Sequence, residues 1–384
     1  MALIYFLIVL SVLVLIHEVG HFVTARLFGV KADEFGYGFP PRILGFVKEK
    51  GKWKRVGARD RGSYKNTIWS LNWLPLGGFV RIKGEQADGQ NDPDSFHTQP
   101  AWVRVIILAA GVSLNWILAA VLFSFVFAMG TNAVLEDLPS GAVVTDRSIR
   151  LTQVMVKSPA EKAGLLPNDI ILSIDGVVPV SYEQAGELIG ARSEKTFEIQ
   201  FQRDDQTFAT KVTPAYLASL DRKAIGVGLA EVGHVTFPPL TALKVGLTVN
   251  VGYTKAIVLT FGGLLKDLVM RRPVAQEFSG PVGIAVLTGQ FAEQGIIPLL
   301  QFCAILSLNL AVINFLPIPA LDGGRVLFLF IEKIRRRPMS RRLEALIHNV
   351  AFLILIGLIL LVTVRDIAHY SGTIVGGLKG LVGM

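Results

Sequence analysis

The sequence is poor in cysteine and in charged residues. Cys303 is the single cysteine among 384 residues, so no internal disulfide can form and redox chemistry is not indicated. Charged residues make up 18% of the chain, whereas hydrophobic residues make up 51%. This apolar excess is too large for an ordinary soluble enzyme and points to a membrane protein.

Four hydrophobic runs are long enough to cross a bilayer, which takes about 18 or more apolar residues. The first run has no basic start and no small-residue cleavage site, so we expect a retained helix and not a signal peptide. The sequence therefore predicts a polytopic α-helical membrane protein with about four transmembrane helices. The runs cover roughly residues 3–27, 105–129, 297–318 and 345–364.

The net charge of +8 is distributed unevenly between the runs. Residues 24–104 hold 14 Lys/Arg against 8 Asp/Glu, and residues 323–344 hold 7 against 2. Residues 131–321 hold 15 Lys/Arg against 17 Asp/Glu. By the positive-inside rule the two basic segments face the cytoplasm, and both termini and the middle segment face outward. No base-reading motif accompanies the charge, so we expect no nucleic-acid partner.

The motif His17-Glu18-Val19-Gly20-His21 lies inside the first run. Residues four apart share one helix face, so both imidazoles can bind one Zn²⁺, with Glu18 beside them to accept a proton from water. At about 1.5 Å per residue, His17 lies about 21 Å along a helix that crosses a core about 30 Å thick. Ionisable side chains at that depth are costly and usually functional.

A hydrolytic zinc site usually has three protein ligands and one open position. Asp322, His348 and Cys303 are the candidates for the third ligand, with His348 as the alternative to Asp322. Asp322 follows a stretch in which two prolines break the third run, and non-helical backbone at membrane depth is tolerated only where it lines a protein or water cavity. Asn314, at the start of this stretch, either holds substrate backbone or caps the broken helix.

Three further segments lie between or beside the runs. Residues 140–214 combine short apolar strands with turn signals such as Asp175-Gly176, so we expect an inserted α+β domain. Residues 69–84 predict a membrane-associated β-hairpin, although an interfacial loop fits equally well. Residues 238–270 form an apolar segment with regularly placed lysines, which predicts a helix on the outer membrane surface or a fifth span.

Taken in order, these motifs resemble the site-2 protease family of intramembrane zinc metalloproteases, in its bacterial branch. Residues 158–176 likewise resemble a PDZ domain. The segments that carry the first resemblance are His17-Glu18-Val19-Gly20-His21-Phe22, Gly36-Tyr37-Gly38, Pro75-Leu76-Gly77-Gly78-Phe79-Val80, Phe96 with Pro100-Ala101-Trp102-Val103-Arg104, Ala110-Gly111 with Asn115, Ser279-Gly280-Pro281-Val282-Gly283-Ile284, and Asn314-Phe315-Leu316-Pro317 with Leu321-Asp322-Gly323.

The resemblance implies a zinc ion held by His17, His21 and Asp322, with Glu18 as the catalytic base. It implies substrate binding by Asn314 and by a β-edge at Gly77, Gly78, Phe79 and Val80. The expected substrates are single-span membrane proteins such as anti-sigma factors or remnant signal peptides, in some cases trimmed first by a site-1-type protease. The expected location is the bacterial plasma (inner) membrane.

Two other functions fit the sequence less well than a protease. An ion-coupled transporter predicts inverted internal repeats, and no such repeat is apparent in the sequence. A catalytically silent membrane scaffold would tolerate loss of Glu18 or Asp322, and both are present. The predicted boundaries are 1–29 (transmembrane helix 1), 30–104 (cytoplasmic loop with the hairpin), 105–130 (helix 2), 140–214 (PDZ-like domain), 215–296 (linker with the surface helix), 297–325 (helix 3), 326–344 (basic cytoplasmic loop), 345–366 (helix 4) and 367–384 (tail).

Overall fold

The computed structural model describes residues 1–384 except 59, 61, 63, 86–91, 137, 193, 273–278, 338, 383 and 384. The chain forms two compact units, 1–124 with 246–384, and 125–245. The helices are α1 (Ala2–Leu27), α2 (Ala101–Met129), α3 (Pro159–Lys162), α4 (Tyr182–Gly190), α5 (Pro239–Val269), α6 (Pro281–Glu293), α7 (Ile296–Phe315), α8 (Asp322–Arg335) and α9 (Arg341–Val382). The strands are β1 (Ala32–Glu49), β2 (Lys52–Gly57), β3 (Ile68–Ile82), β4 (Thr131–Val134), β5 (Val143–Val154), β6 (Ile170–Ile174), β7 (Phe197–Arg203), β8 (Gln206–Val212), β9 (Ala215–Leu217), β10 (Arg222–Ala224) and β11 (Val227–Thr236).

Four helices of the described chain are long and apolar enough to cross a membrane. A bilayer core is about 30 Å thick and a helix rises about 1.5 Å per residue, so each has the length that a span needs. The number agrees with the four runs seen in the sequence. The four segments are Ala2–Leu27, Ala101–Met129, Ile296–Phe315 and, within α9, Arg342–Ala368.

The third hydrophobic segment is interrupted before its predicted end. Helix α7 ends at Phe315, and α8 begins at Asp322 after an irregular stretch, residues 316–321, which we call the break. Most of the predicted loop 326–344 is helical, because α8 continues to Arg335. Apolar residues at helical spacing bury one face of α8 through Phe328 and Leu329, a pattern that the basic composition of the segment masks.

Helix α9 extends beyond both predicted limits of the fourth span. It begins at Arg341, before residue 345, and continues to Val382, so the predicted tail 367–384 is helical up to that point. The two last residues of the tail lie outside the described residues. The boundaries differ because backbone hydrogen bonding continues past the end of an apolar run.

Helix α5 runs antiparallel to α2 along part of its length. Gly246 lies against the backbone of Ser124, and Asn250 Nδ2 donates to the Trp116 carbonyl oxygen at 3.3 Å. One turn further along α5, Thr254 Oγ1 accepts a hydrogen bond from Trp116 Nε1 at 3.0 Å. The first half of α5 therefore packs beside the middle of a membrane-length helix, although α5 is not among the four candidate spans.

Strand β3 folds back so that the first part of β1, residues 32–37, lies between its two halves. Phe35 of β1 pairs both with Val80 and with Trp69, which belong to different halves of β3. The bend between the halves contains Pro75 and Gly77, whose φ of +73° lies in the left-handed region that favours glycine. From one edge of this sheet to the other, the paired strand segments are, in order, residues 78–82, 32–37, 68–71, 44–49 and 52–57. Residues 78–82, which we call the edge run, thus have β1 on one side and no other paired strand in the described chain.

This arrangement differs from the hairpin predicted within residues 69–84. The two halves of β3 flank residues 32–37 of β1, and among the described residues they do not pair with each other. Local alternation of apolar residues indicates strands but carries no information on which distant strand inserts between them. The prediction of strand structure in this segment therefore agrees with the fold, whereas its pairing does not.

The second unit is built on a six-stranded sheet in the order β4-β11-β5-β6-β7-β8, with α4 packed on it. Its core includes Leu151, Leu165, Ile174 and Ile199, all at most 1% exposed. Strands β4 and β11 lie outside the predicted range 140–214, because they join the sheet through pairing between distant residues that the sequence does not reveal. Asn168 has φ of +74°, so the turn before β6 is left-handed at this residue.

Candidate metal centre

Helix α1 places His17 and His21 one turn apart on a buried face, where each residue is 6% exposed. Their Nε2 atoms lie 3.1 Å apart. Asp322 Oδ2 lies 2.9 Å from His17 Nε2 and 3.4 Å from His21 Nε2. One ligand atom from each residue lies within 4.8 Å of the others, so the three atoms converge on one point. We call these three residues the ligand group.

Neighbouring polar atoms orient the two imidazoles. His21 Nδ1 lies 2.8 Å from the carbonyl oxygen of Ile107, which can only accept, so Nδ1 donates and Nε2 keeps its lone pair for a metal. His17 Nδ1 lies 3.5 Å from the amide nitrogen of Asn115, while Asn115 Oδ1 is buried without a hydrogen-bond partner in the described structure. Rotating the amide exchanges its two ends and brings an acceptor towards His17 Nδ1.

Two glycines provide the space in which α1 and α2 approach each other. A Cβ on Gly111 would lie 2.5 Å from His21 Nε2 and 2.8 Å from His17 Nε2. A Cβ on Gly20 would lie 2.6 Å from the Ala110 carbonyl oxygen. The donor set, the convergence of the two Nε2 atoms with a carboxylate oxygen, and this space suit a small cation that takes nitrogen and oxygen ligands, such as zinc.

Asp322 reaches the ligand group from the first turn of α8. Gly323 and Gly324 follow it, and a Cβ on either would collide with carbonyl oxygens of the break. The two glycines therefore let the helix start close against the preceding backbone. A carboxylate in the first turn is also favoured by the helix dipole, by about 0.3–1 kcal/mol at exposed sites.

Glu18 lies beside the ligand group and contacts the edge run. The backbone N–H of Val80 donates to Glu18 Oε2 at 3.0 Å. Ser11 lies about two helical turns before Glu18 on α1. Its hydroxyl donates to the Pro75 carbonyl oxygen at 3.1 Å and accepts from the Gly77 N–H at 3.2 Å. These bonds attach the bend and the edge run of β3 directly to the helix that carries the two histidines.

The residues predicted to bind substrate fall in two places. A Cβ on Gly77 would lie 2.5 Å from Val14 of α1, and one on Gly78 would lie 2.8 Å from Leu15, so this part of β3 packs tightly on α1. Phe79 and Val80 continue into the edge run. Asn314 is half-buried in the last turn of α7, on the opposite side of the break from Asp322.

Two sequence candidates lie outside the ligand group, and two residues near it were missed. Cys303 packs with apolar residues of α1, and His348 accepts a hydrogen bond from the Ala320 N–H at 2.8 Å. Ser11 and Gly111 were not singled out for the site. In the sequence, Ser11 could have been noticed as a hydroxyl inside an apolar run. The need for a glycine at position 111 becomes visible only from the two histidines that pack against it.

The fold and the ligand group define a class: a zinc metalloprotease of the membrane, with an HExxH motif on a membrane-length helix and a carboxylate from a second helix beside it. A family model described as "Peptidase family M50" matches residues 5–57 and 60–358. The chain belongs to peptidase family M50, the site-2 protease family, and is an intramembrane zinc metalloprotease of regulated intramembrane proteolysis. The resemblance stated from the sequence, the predicted endopeptidase activity and the zinc cofactor are thereby confirmed.

Named relatives match over nearly the full chain. A protein of Nostoc sp. (strain PCC 7120) named as a zinc metalloprotease is 31% identical over 365 residues, covering 93% of this chain and 93% of that protein. The regulator of sigma-W protease RasP of Bacillus subtilis (strain 168) is 29% identical over 442 residues, covering 94% of this chain and 97% of RasP. Among solved structures, the PDZ domain of an SdrC-like protein from Listeria monocytogenes matches 23% of this chain and 92% of that domain, at 22% identity and a TM-score of 0.21.

Proposed function

We propose that His17, His21 and Asp322 hold the zinc ion and that Glu18 is the catalytic base. The observation that carries this proposal is the convergence of the three ligand atoms within 4.8 Å. Two nitrogens and one carboxylate oxygen leave a fourth position of a tetrahedral site for water or substrate. The transporter and silent-scaffold alternatives have no comparable observation in their favour.

The residues around the metal divide the hydrolytic step between them. When bound, Zn²⁺ would supply Lewis acidity, which lowers the pKa of a bound water to about 7 and polarises the scissile carbonyl. Glu18 accepts the proton of the attacking water and then donates it to the leaving amine. The Val80 N–H occupies only one lone pair of the Glu18 carboxylate, which keeps further acceptor positions for that proton.

We propose that the edge run, which includes Gly78, Phe79 and Val80, binds substrate by strand addition together with Gly77. A peptide bond in a helix is shielded by its own hydrogen bonds, and pairing with a sheet edge extends the segment and exposes it. This proposal is supported by the open side of the edge run and by the direct bond from Val80 to Glu18. Asn314 is proposed to hold substrate backbone from the far side of the break.

The proposed substrates are single-span membrane proteins, cut in or near their membrane segment. One relative is named as a regulator of sigma-W protease, which favours anti-sigma factors over remnant signal peptides. A site-1-type protease is proposed to trim such substrates first, because an intact outer domain obstructs access to a site within the bilayer.

We propose a location in the bacterial plasma (inner) membrane, with both termini and the PDZ-like domain outside and the two basic segments in the cytoplasm. The uneven distribution of Lys/Arg supports this orientation. Single cysteines at Ser340 and Ser219, in a Cys303→Ser background, test it with an impermeant thiol reagent on intact cells. We expect labelling at residue 219 alone, and the opposite pattern would invert the topology.

The test of the active site separates metal binding from chemistry. Purified protein is expected to carry about one zinc, and Glu18→Gln is expected to keep that zinc while losing cleavage of a reconstituted single-span substrate. Glu49→Gln, in β1, is the matched control. Cleavage by Glu18→Gln at the wild-type rate would remove Glu18 from the mechanism.

A further inference from the structure

The break between α7 and α8 leads the backbone to Asp322, and most of its N–H groups bond within the break or to the end of α7. Its two prolines have no N–H to donate. Three of the other four N–H groups donate to carbonyl oxygens of residues 313, 316 and 318, at 3.1, 2.7 and 3.2 Å. The fourth, the N–H of Ala320, donates out of this stretch to Nδ1 of His348 in α9, at 2.8 Å. The break is thus tied to another helix at this one backbone donor among its described N–H groups.

The residue that makes this bond has an unusual backbone conformation. Ala320 has φ of +81°, in the left-handed region that an alanine adopts only when its surroundings hold it there. It lies two positions before Asp322, so a change in its backbone would redirect the following carboxylate. The bond to His348 therefore restrains the residue of the break whose backbone conformation is strained.

The His348 ring is held in position by its own packing contact. It packs against Phe328 of α8, with ring centroids 5.0 Å apart. Because Nδ1 accepts from the Ala320 N–H, the neutral ring carries its proton on Nε2. Nε2 is buried and has no hydrogen-bond partner among the described residues, and the ring lines a cavity of about 330 Å³ together with Glu332 and Glu344.

We propose that His348 is a positioning residue for the zinc ligand Asp322: by accepting the Ala320 N–H, it fixes the left-handed turn that directs the carboxylate at His17 and His21. The inference rests on the proposed ligand role of Asp322. It gives α9 a defined part in the metal centre without a ligand of its own. In this role His348 contacts the backbone of the break and is not itself the third ligand, which was the alternative left open by the sequence.

The test compares substitutions that keep or lose the acceptor at the Nδ1 position. In His348→Asn the amide oxygen lies at nearly the same distance from the backbone as Nδ1, whereas in His348→Gln the polar group lies near the Nε2 position. The readout is the dissociation constant for zinc of the purified protein, measured by chelator competition, with cleavage measured in parallel. We expect His348→Ala and His348→Gln to weaken zinc binding by about 10- to 100-fold and His348→Asn to restore most of it.

A second pair of variants tests the strain at Ala320. Glycine adopts φ of +81° without a steric penalty, so the loss caused by His348→Ala is expected to be smaller in an Ala320→Gly background than in the parent. If His348→Ala does not fold, the comparison of His348→Asn with His348→Gln carries the test alone. Equal zinc affinity in all four His348 proteins would overturn the proposal, as would equal loss in Asn and Gln variants.

Asp322→Ala separates failure of this inference from failure of the proposed function. If Asp322→Ala binds zinc as tightly as the parent, the proposed ligand set is wrong and this inference falls with it. If Asp322→Ala loses zinc while His348→Ala keeps it, the ligand set stands and only the positioning role of His348 is rejected. Loss in both, with rescue by His348→Asn, is the expected outcome.

Discussion

Helix α1 and the break before α8 bring the three side chains of the ligand group to the same point by different means. On α1, His17 and His21 are fixed by regular helical spacing, and their outer nitrogens face groups of α2. Asp322 instead follows an irregular stretch that contains a strained alanine, Ala320, whose N–H donates to His348 of α9. The first arrangement follows from the regular spacing of one helix, whereas the second involves contacts between residues distant in sequence. Substitutions in each region are therefore expected to change zinc affinity by different amounts.

The largest effect is expected at the ligand that the break delivers. Asp322→Ala removes the only carboxylate of the ligand group, so zinc affinity should fall by more than the roughly 100-fold that outer-shell changes cause, and cleavage should be lost. Asp322→Asn, which keeps an oxygen but loses the charge, is expected to be intermediate. Metal analysis after dialysis against a chelator provides the measurement. Full zinc occupancy in the alanine variant would mean that another residue completes the site.

A second prediction tests the space between α1 and α2. Gly111→Ala would place a methyl group 2.5 Å from His21 Nε2, and overpacking of this kind costs about 1–3 kcal/mol. If that cost falls on the ligand group, zinc affinity decreases by about 5- to 150-fold. Gly263→Ala, in helix α5, is the control because an added Cβ there meets nothing within 4 Å. Equal affinities in both variants would show that α2 can retreat without disturbing the histidines.

The contrast between the two regions also explains what the sequence could and could not predict. The pair His17 and His21 follows from a period of 3.6 residues, and Asp322 from two prolines that end a hydrophobic run. The insertion of β1 between the halves of β3, and the pairing of β11 with β5, depend on residues far apart in the chain and leave no local pattern. For the same reason His348 could be singled out by its chemistry but not assigned its contact.

A smaller effect is expected from the outer partner of His17. Asn115→Leu removes the side-chain amide that faces His17 Nδ1, and the 3.5 Å separation suggests a loss of zinc affinity of about tenfold, at the low end for such partners. Asn250→Leu is the matched control, because Asn250 is also fully buried and bonds the backbone of α2 at Trp116. If both variants lose zinc equally, the effect belongs to packing along α2 and not to the imidazole.

The smallest effect on zinc is expected where the sheet is stabilised away from the ligands. Glu34 of β1 is 1% exposed and accepts hydrogen bonds from Arg42 Nε at 2.8 Å and from Arg81 of the edge run at 3.1 Å. Burial raises the pKa of Glu34, but the hydrogen bonds and charges of the two arginines outweigh it and hold the pKa below its ordinary value.

The direction of this pKa shift fixes the pH dependence. A carboxyl group with a lowered folded-state pKa stabilises the fold above its unfolded pKa of about 4.3, and this contribution is lost as the pH falls towards the lowered value. Glu34→Gln should therefore reduce the free energy of unfolding at pH 7 by about 3–5 kcal/mol, as expected when one partner of a buried ion pair is removed. The difference from wild type should shrink in acid, while the zinc affinity of the folded protein changes little. Thermal unfolding at pH 7 and pH 3, with Glu49→Gln as control, provides the measurement. A difference that stays constant between the two pH values would mean that Glu34 acts through its shape and not through its charge.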